Sequence, residues 1–142
     1  MSGFLLDTNV LSEFNRRGEP NPNVKQWLEK ADADSLYASV LTFAEIRFEV
    51  ELLPKSKRRT RLEEWLDRDL PAWFGNRVLP VDRAVADRWG VFRAQAQVKG
   101  RPLSIIDGLL AATAFIHGLT LVSRNQGDFD VIGAAVVNPW ER

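Results

Sequence analysis

The chain has 142 residues, 45% of them hydrophobic and 27% charged, an ordinary composition for one globular domain that excludes wholesale disorder. Nineteen basic residues balance nineteen acidic ones, so the chain lacks the overall positive charge of a bulk nucleic-acid binder, and any such contact has to be local or bridged by cations. The absence of cysteine removes disulfides, thiolate metal sites and a cysteine nucleophile together.

In chain order, the first residues, MSGFLLDTNV, carry no basic leader and reach Asp7 after a few apolar positions. They read as neither a signal peptide nor a membrane span, and the expectation is a cytoplasmic protein. Gly3 to Leu6 is a short buried strand ending at Asp7, and Thr8 or Asn9 caps a short helix towards Phe14. A loop at Gly18–Pro22 leads to a helix over Asn23–Lys30. Ser35–Ser39 is a second strand, followed by a helix from about Leu41 to Leu53 that ends at Pro54. Lys57 to Phe74 is helical, with Leu62, Trp65, Leu66 and Leu70 at helical spacing. Gly75 and Asn76 break it before a brief strand at Arg77–Leu79. Asp82 caps a helix towards Lys99, and Leu103 to His117 forms another that stops at Gly118. Leu119–Val122 and Ala134–Val137 are the last strands. Strands separated by helices require crossovers, so the fold class is a three-layer α/β domain with a mostly parallel central sheet flanked by helices. Polar residues that directly follow strands then converge on one edge, where open α/β sheets place their sites.

Four acids occupy that edge in this reading. Asp7 follows the first strand, Glu45 lies one turn into the helix after the second, Asp107 lies early in the helix before the fourth, and Asp128 lies in the loop after it. Each has a plain alternative: Asp7 as a cap, Glu45 as a solvent-facing helix residue, Asp128 as a turn former. Asp130 competes with Asp128 from two residues away. Asp107 is different, because Leu103–Ala112 is apolar nearly all round and should be the central buried helix, where an unpaired carboxylate is costly. Neither Asp107 nor Glu45 has a basic residue three or four positions away. A hard divalent cation such as Mg2+ or Mn2+, which prefers oxygen ligands, would neutralise several carboxylates together.

Taken together the motifs are specific. Phe4-Leu5-Leu6-Asp7-Thr8-Asn9-Val10-Leu11-Ser12-Glu13 resembles the opening of PIN-domain proteins, and Val40–Ile46 around Glu45 resembles their second acidic motif. Ile105–Ala114 around Asp107 resembles the third. Leu121–Asn125 with Asp128-Phe129, closing on Val137-Asn138-Pro139-Trp140, resembles the fourth motif and the C-terminus. Order, spacing and length are similar to VapC-type toxins, particularly the FitB-like branch, across essentially all of residues 1–142; Ser123 stands where many relatives carry threonine. The resemblance implies a single PIN-like domain and a Mg2+- or Mn2+-dependent ribonuclease. It implies the toxin of a toxin–antitoxin pair, with RNA as substrate, a cognate antitoxin as partner and a homodimeric assembly. Asp7, Glu45, Asp107 and Asp128 would be its catalytic and metal-binding acids, with Asn9, Ser123 and Asn125 positioning water or a carboxylate.

Other features are read against this. Lys55–Arg61 is a local basic run whose default role is a solvated helix start, with RNA contact as the alternative. Arg124 is a separate candidate for phosphate contact. Of the five tryptophans, Trp65 and Trp73 lie two turns apart on one helix face and suit a protein-binding groove. His117, the only histidine, reads as a helix-end residue and supports neither a histidine metal site nor a Ser-His-Asp triad. Two rival readings remain: an aspartyl-phosphate phosphotransfer domain, against which Leu5–Asn9 lacks a second Asp and no lysine ends a later strand, and a non-catalytic RNA- or protein-binding module.

Overall fold

The computed structural model describes residues 3–141; the domain expected over 1–142 also includes Met1, Ser2 and Arg142, which lie outside the described residues. Five strands, β1 (Phe4–Leu6), β2 (Leu36–Ser39), β3 (Val78–Leu79), β4 (Thr120–Val122) and β5 (Val136–Val137), form one sheet in the order β3-β2-β1-β4-β5. Every pairing is parallel, with Phe4 opposite both Leu36 and Thr120, and Leu6 opposite Val122. Among the described residues eight α-helices connect the strands: α1 (Thr8–Ser12), α2 (Pro22–Lys30), α3 (Val40–Glu51), α4 (Lys57–Glu64), α5 (Leu70–Phe74), α6 (Arg83–Val98), α7 (Ile105–His117) and α8 (Gln126–Phe129).

Side-chain alternation along the strands splits the interior into two cores. Leu6 and Val122 face one side with Val10, Val24, Ile46, Val50, Leu66 and Phe74. Leu5 and Leu121 face the other with Val85, Phe92, Leu110, Ala111 and Phe129. The sheet is therefore covered on both faces, as a parallel sheet requires, and only its two ends are open to carry a site.

Four local expectations are corrected. The cap of α1 is Asp7 itself, whose Oδ1 accepts the Thr8 N–H at 2.7 Å, rather than Thr8 or Asn9. The helix expected over Lys57–Phe74 contains a π turn at Trp65–Asp69, where Leu70 N–H donates to the Trp65 carbonyl. Pro71 has no N–H to continue the α pattern, and the widened turn absorbs the interruption. The helix after Leu103 is not buried all round. Ser104 caps α7 at the Asp107 N–H, and one face packs inward through Gly108, Leu110, Ala111 and Ala114. Ile105, Phe115 and Ile116 stay exposed, because α7 is an outer-layer helix against α6 and β4. Finally, Asp128 lies within the short helix α8 rather than in a loop. Asp82 does cap α6, accepting from the Val85 N–H at 3.0 Å, and Gly118 ends α7 in the left-handed region.

Two features of α7 set the position of its acid. Gly108 lies so close to Trp89 of α6 that a Cβ there would come within 2.6 Å of the indole. The α6–α7 contact therefore needs glycine one residue after Asp107. The Lys99 ammonium, at the end of α6, donates to the Val131 carbonyl at 2.7 Å and ties the hairpin to the segment that carries Asp128.

Candidate active site

The C-terminal ends of the central strands deliver the polar residues. Asp7 leaves β1 buried, held by its own backbone N–H donating to the Val122 carbonyl at 2.9 Å. Its Oδ1 accepts from Thr8 N–H, and its Oδ2 accepts from the Ser123 hydroxyl at 2.7 Å and from the Asn9 side-chain amide at 3.5 Å. Ser123, fully buried at the end of β4, accepts in turn from the Asn125 N–H at 3.0 Å. The side chains of Asn9, Ser123 and Asn125 were expected near the acids; Asn125 contributes its backbone N–H here, as a brace for the serine.

Glu45 comes from α3. Ser39 caps that helix, accepting the Leu41 N–H at 3.0 Å, so the first turn is fixed to the end of β2. The Thr8 hydroxyl donates to Glu45 Oε1 and lies 3.2 Å from the Thr42 hydroxyl. Thr8 and Thr42 are both buried, and together they pin Glu45 to the start of α1, the helix that Asp7 caps.

Asp7, Glu45 and Asp107 line one open pocket of about 430 Å³, with Thr8, Asn9, Ser12, Glu13, Arg16, Glu49, Arg124, Asn125 and Trp140. Asp128 is not in that lining. It faces a neighbouring hollow of about 300 Å³ that shares Asp107, with Arg101, Ser104 and Val131. Asp107 is thus the hinge between two acidic hollows, and Asp130 lines neither.

The carboxylates feel one another. Asp7 is pushed up to about 6, first by burial, with Asp107 and Glu45 adding repulsion and the Ser123 and Thr8 bonds opposing it. Asp107 is raised by burial and by Asp128 and Glu45, against the Ser104 contact, and Glu49 is raised by burial and by Glu45. Among the described residues none of the four acids forms an ion pair; the arginine bridges are spent on Glu13, Glu51, Glu63, Glu64, Asp67 and Asp69. The donor set is all oxygen, which fits a hard divalent cation. Among the described residues no three acids or imidazoles are drawn into a tight cage.

Several lining residues escaped the sequence reading. Glu49 carried a signal, standing four residues after Glu45 on the same face of α3. Glu13 anchors the following loop by accepting the Asn21 N–H at 2.7 Å. Trp140 was read only as the end of the C-terminal motif, and the docking of that segment, with Asn23 donating to its carbonyl at 3.0 Å, brings it to the pocket. Two members of the basic run make structural contacts: Arg59 bridges Glu51 and Glu63, and Arg58 donates to the Asn15 carbonyl at 3.3 Å. Trp65 and Trp73 do share a groove, an apolar cavity of about 400 Å³ lined also by Leu11, Phe14, Leu28 and Leu70.

Comparison with known proteins agrees with this architecture. The PIN domain family profile matches residues 4–134. Toxin FitB of Neisseria gonorrhoeae is 40% identical over 136 residues, covering 96% of this chain and 97% of that protein. The VapC ribonuclease Y4jK of Sinorhizobium fredii is 36% identical, with 96% and 97% covered. The crystal structure of FitAcB from Neisseria gonorrhoeae superposes with a TM-score of 0.92 at 39% identity, covering 98% of this chain and 99% of that one. With a parallel five-stranded sheet, buried Asp7 at the end of its central strand, and relatives matched over nearly their full length, this chain belongs to the PIN-domain family.

Proposed function

We propose that this protein is a divalent-metal-dependent ribonuclease that acts as the toxin of a toxin–antitoxin pair. The observation that carries the reading is the convergence of Asp7, Glu45 and Asp107, from three separate elements, on one open pocket without a cationic partner among the described residues. Such a cluster repels itself unless a cation binds. Mg2+ or Mn2+ held there would supply charge stabilisation to a phosphodiester and make water acidic enough to attack it.

The chain's own residues prepare that chemistry. Asp7, Glu45 and Asp107 are the proposed ligands, with Asp128 facing Asp107 across the second hollow as the fourth acid. Ser123 and Thr8 fix the two oxygens of Asp7, and Thr8 also orients Glu45. The Ser123 and Thr8 bonds oppose the upward push on Asp7, and all of these braces hold the acids in register. The phosphotransfer alternative fits less well: both Asp7 oxygens are engaged and no lysine lines the pocket. Among the described residues no helix is long and apolar enough to cross a membrane, and a cytoplasmic site of action is part of the proposal.

The antitoxin is assigned to the Trp65–Trp73 groove, whose aliphatic walls suit an amphipathic helix. A homodimer is part of the same proposal, with the exposed side chains Phe48, Leu52, Val98 and Ile105, from 63% to 87% accessible, as apolar surface a second copy would cover. Cleavage of a mixed single-stranded RNA pool by the purified protein tests the core of the reading. Activity with Mg2+ or Mn2+, lost in EDTA and lost in Asp107→Asn, is the expected result; RNA left intact under all metal conditions by folded protein refutes it.

A further inference from the structure

Arg124 stands two residues past β4, next to Ser123, and is exposed. Its guanidinium lies over the indole of Trp140, 5.6 Å from the ring centroid, and both residues line the pocket that holds Asp7, Glu45 and Asp107. The backbone of Arg124 is tied on both sides. Its N–H donates to Asn9 Oδ1 at 3.4 Å, and its carbonyl accepts from Asn138 Nδ2 at 3.4 Å. The Asn138 side-chain oxygen accepts the Trp140 N–H at 3.0 Å, so one asparagine fixes both members of the pair. A guanidinium beside an acidic cluster is usually drawn into an ion pair. Here no carboxylate among the described residues lies within ion-pair distance of Arg124.

We propose that Arg124 and Trp140 form a nucleotide clamp at the rim of the pocket, which takes one phosphate and one base of single-stranded RNA beside the bond to be cut. The proposal rests on the ribonuclease reading above. A polyanion approaching an acidic pocket is repelled, and a chain with no net charge has no general field to offset this. A rim cation supplies the offset locally. The guanidinium fork matches two phosphate oxygens, which an ammonium cannot do. An indole beside it offers a stacking face that accepts any base, so the clamp binds without demanding a sequence. Holding the cation on the ring also keeps it from collapsing onto Asp7 or Asp107.

The test uses the full chain and a fluorescein-labelled single-stranded RNA of mixed sequence. Affinity is read by anisotropy across a salt series in EDTA, and KM and kcat are read with Mg2+. Arg124→Ala should weaken binding about tenfold, by analogy with single stacking and phosphate contacts, and lower the salt slope by about 0.7. KM should rise while kcat stays within about twofold, the pattern of lost ground-state binding. Arg124→Lys should restore the slope but not the full affinity, and Trp140→Phe should weaken binding without changing the slope. Arg83→Ala, an exposed arginine at the start of α6, serves as the control and should match wild type. An unchanged affinity, KM and slope in Arg124→Ala, with wild type active, overturns the clamp alone. Wild type that neither binds nor cuts RNA overturns the nuclease reading and the clamp with it. Loss of kcat and of thermal stability in Arg124→Ala, with KM unchanged, assigns the pair to the scaffold and also overturns the clamp.

Discussion

Asp7→Asn isolates the electrostatic cost of assembling the acid cluster. The Asp7 carboxyl is pushed up from 3.8 to about 6, mainly by burial, with Asp107 and Glu45 adding repulsion. Folding therefore favours its protonated form. The stability attached to Asp7 is complete below the unfolded value near 4 and is lost as pH climbs through about 6. A shift of this size costs the metal-free protein on the order of 3 kcal/mol once the group is ionised in both states. Asparagine keeps the shape and the oxygen that accepts the Thr8 N–H, and carries no charge at any pH. The stability of the variant relative to wild type should thus rise by about 2 kcal/mol between pH 4 and pH 7 and level off above. For a chain of this length that is roughly 4–8 °C in Tm. Paired thermal unfolding in EDTA across this pH range measures it, and any constant offset from the changed Ser123 contact drops out of the difference. Excess Mg2+ should then stabilise wild type more than the variant and close the gap, since binding to the folded state adds stability by mass action. A Tm difference that does not vary with pH would refute the argument, because a purely steric or hydrogen-bonding effect has no such dependence.

Other outcomes follow from the same contacts. Asp107→Asn should abolish RNA cleavage while its Tm in EDTA stays at or above wild type, since the carboxyl it replaces is raised by burial, Asp128 and Glu45; a melt far below wild type would mark Asp107 as a structural anchor. Ser123→Ala removes the bond that holds Asp7 down in pKa, so Mg2+ affinity measured by calorimetry should fall about tenfold or more, with Ser123→Thr retaining it. Mg2+ affinity in wild type should drop as pH falls through about 6, because the ion competes with the proton on Asp7, and a flat profile from pH 5 to pH 8 would contradict this. Gly108→Ala should lower Tm through overpacking against Trp89, at about 1–3 kcal/mol, and should reduce cleavage because Asp107 is its neighbour in α7.

Much of the fold is written locally in the sequence. Short apolar runs and helical spacing located the five strands and six helical stretches, the one over Lys57–Phe74 spanning both α4 and α5, and Asp82 and Gly118 marked helix ends through chemistry confined to a few residues. Strand–helix alternation alone implied a parallel sheet, and its edge implied that Asp7 and Glu45 would meet. What the sequence could not decide were matters of packing between distant segments. A uniformly apolar α7 looks central, yet Ile105 and Phe115 are exposed because layer position depends on which neighbours dock, not on composition. Of the two nearby acids, Asp128 lines the hollow shared with Asp107 and Asp130 does not, a difference set by the turn of α8. The π turn before Pro71 was an adjustment of backbone pairing that no side-chain period records. Trp140 reaches the pocket through tertiary contacts, among them the tether from Asn23 to its carbonyl, 117 positions apart. Local propensity and periodicity act over a turn or two of chain, whereas a site is assembled by contacts whose partners are far apart in sequence; tertiary structure alone sets those distances.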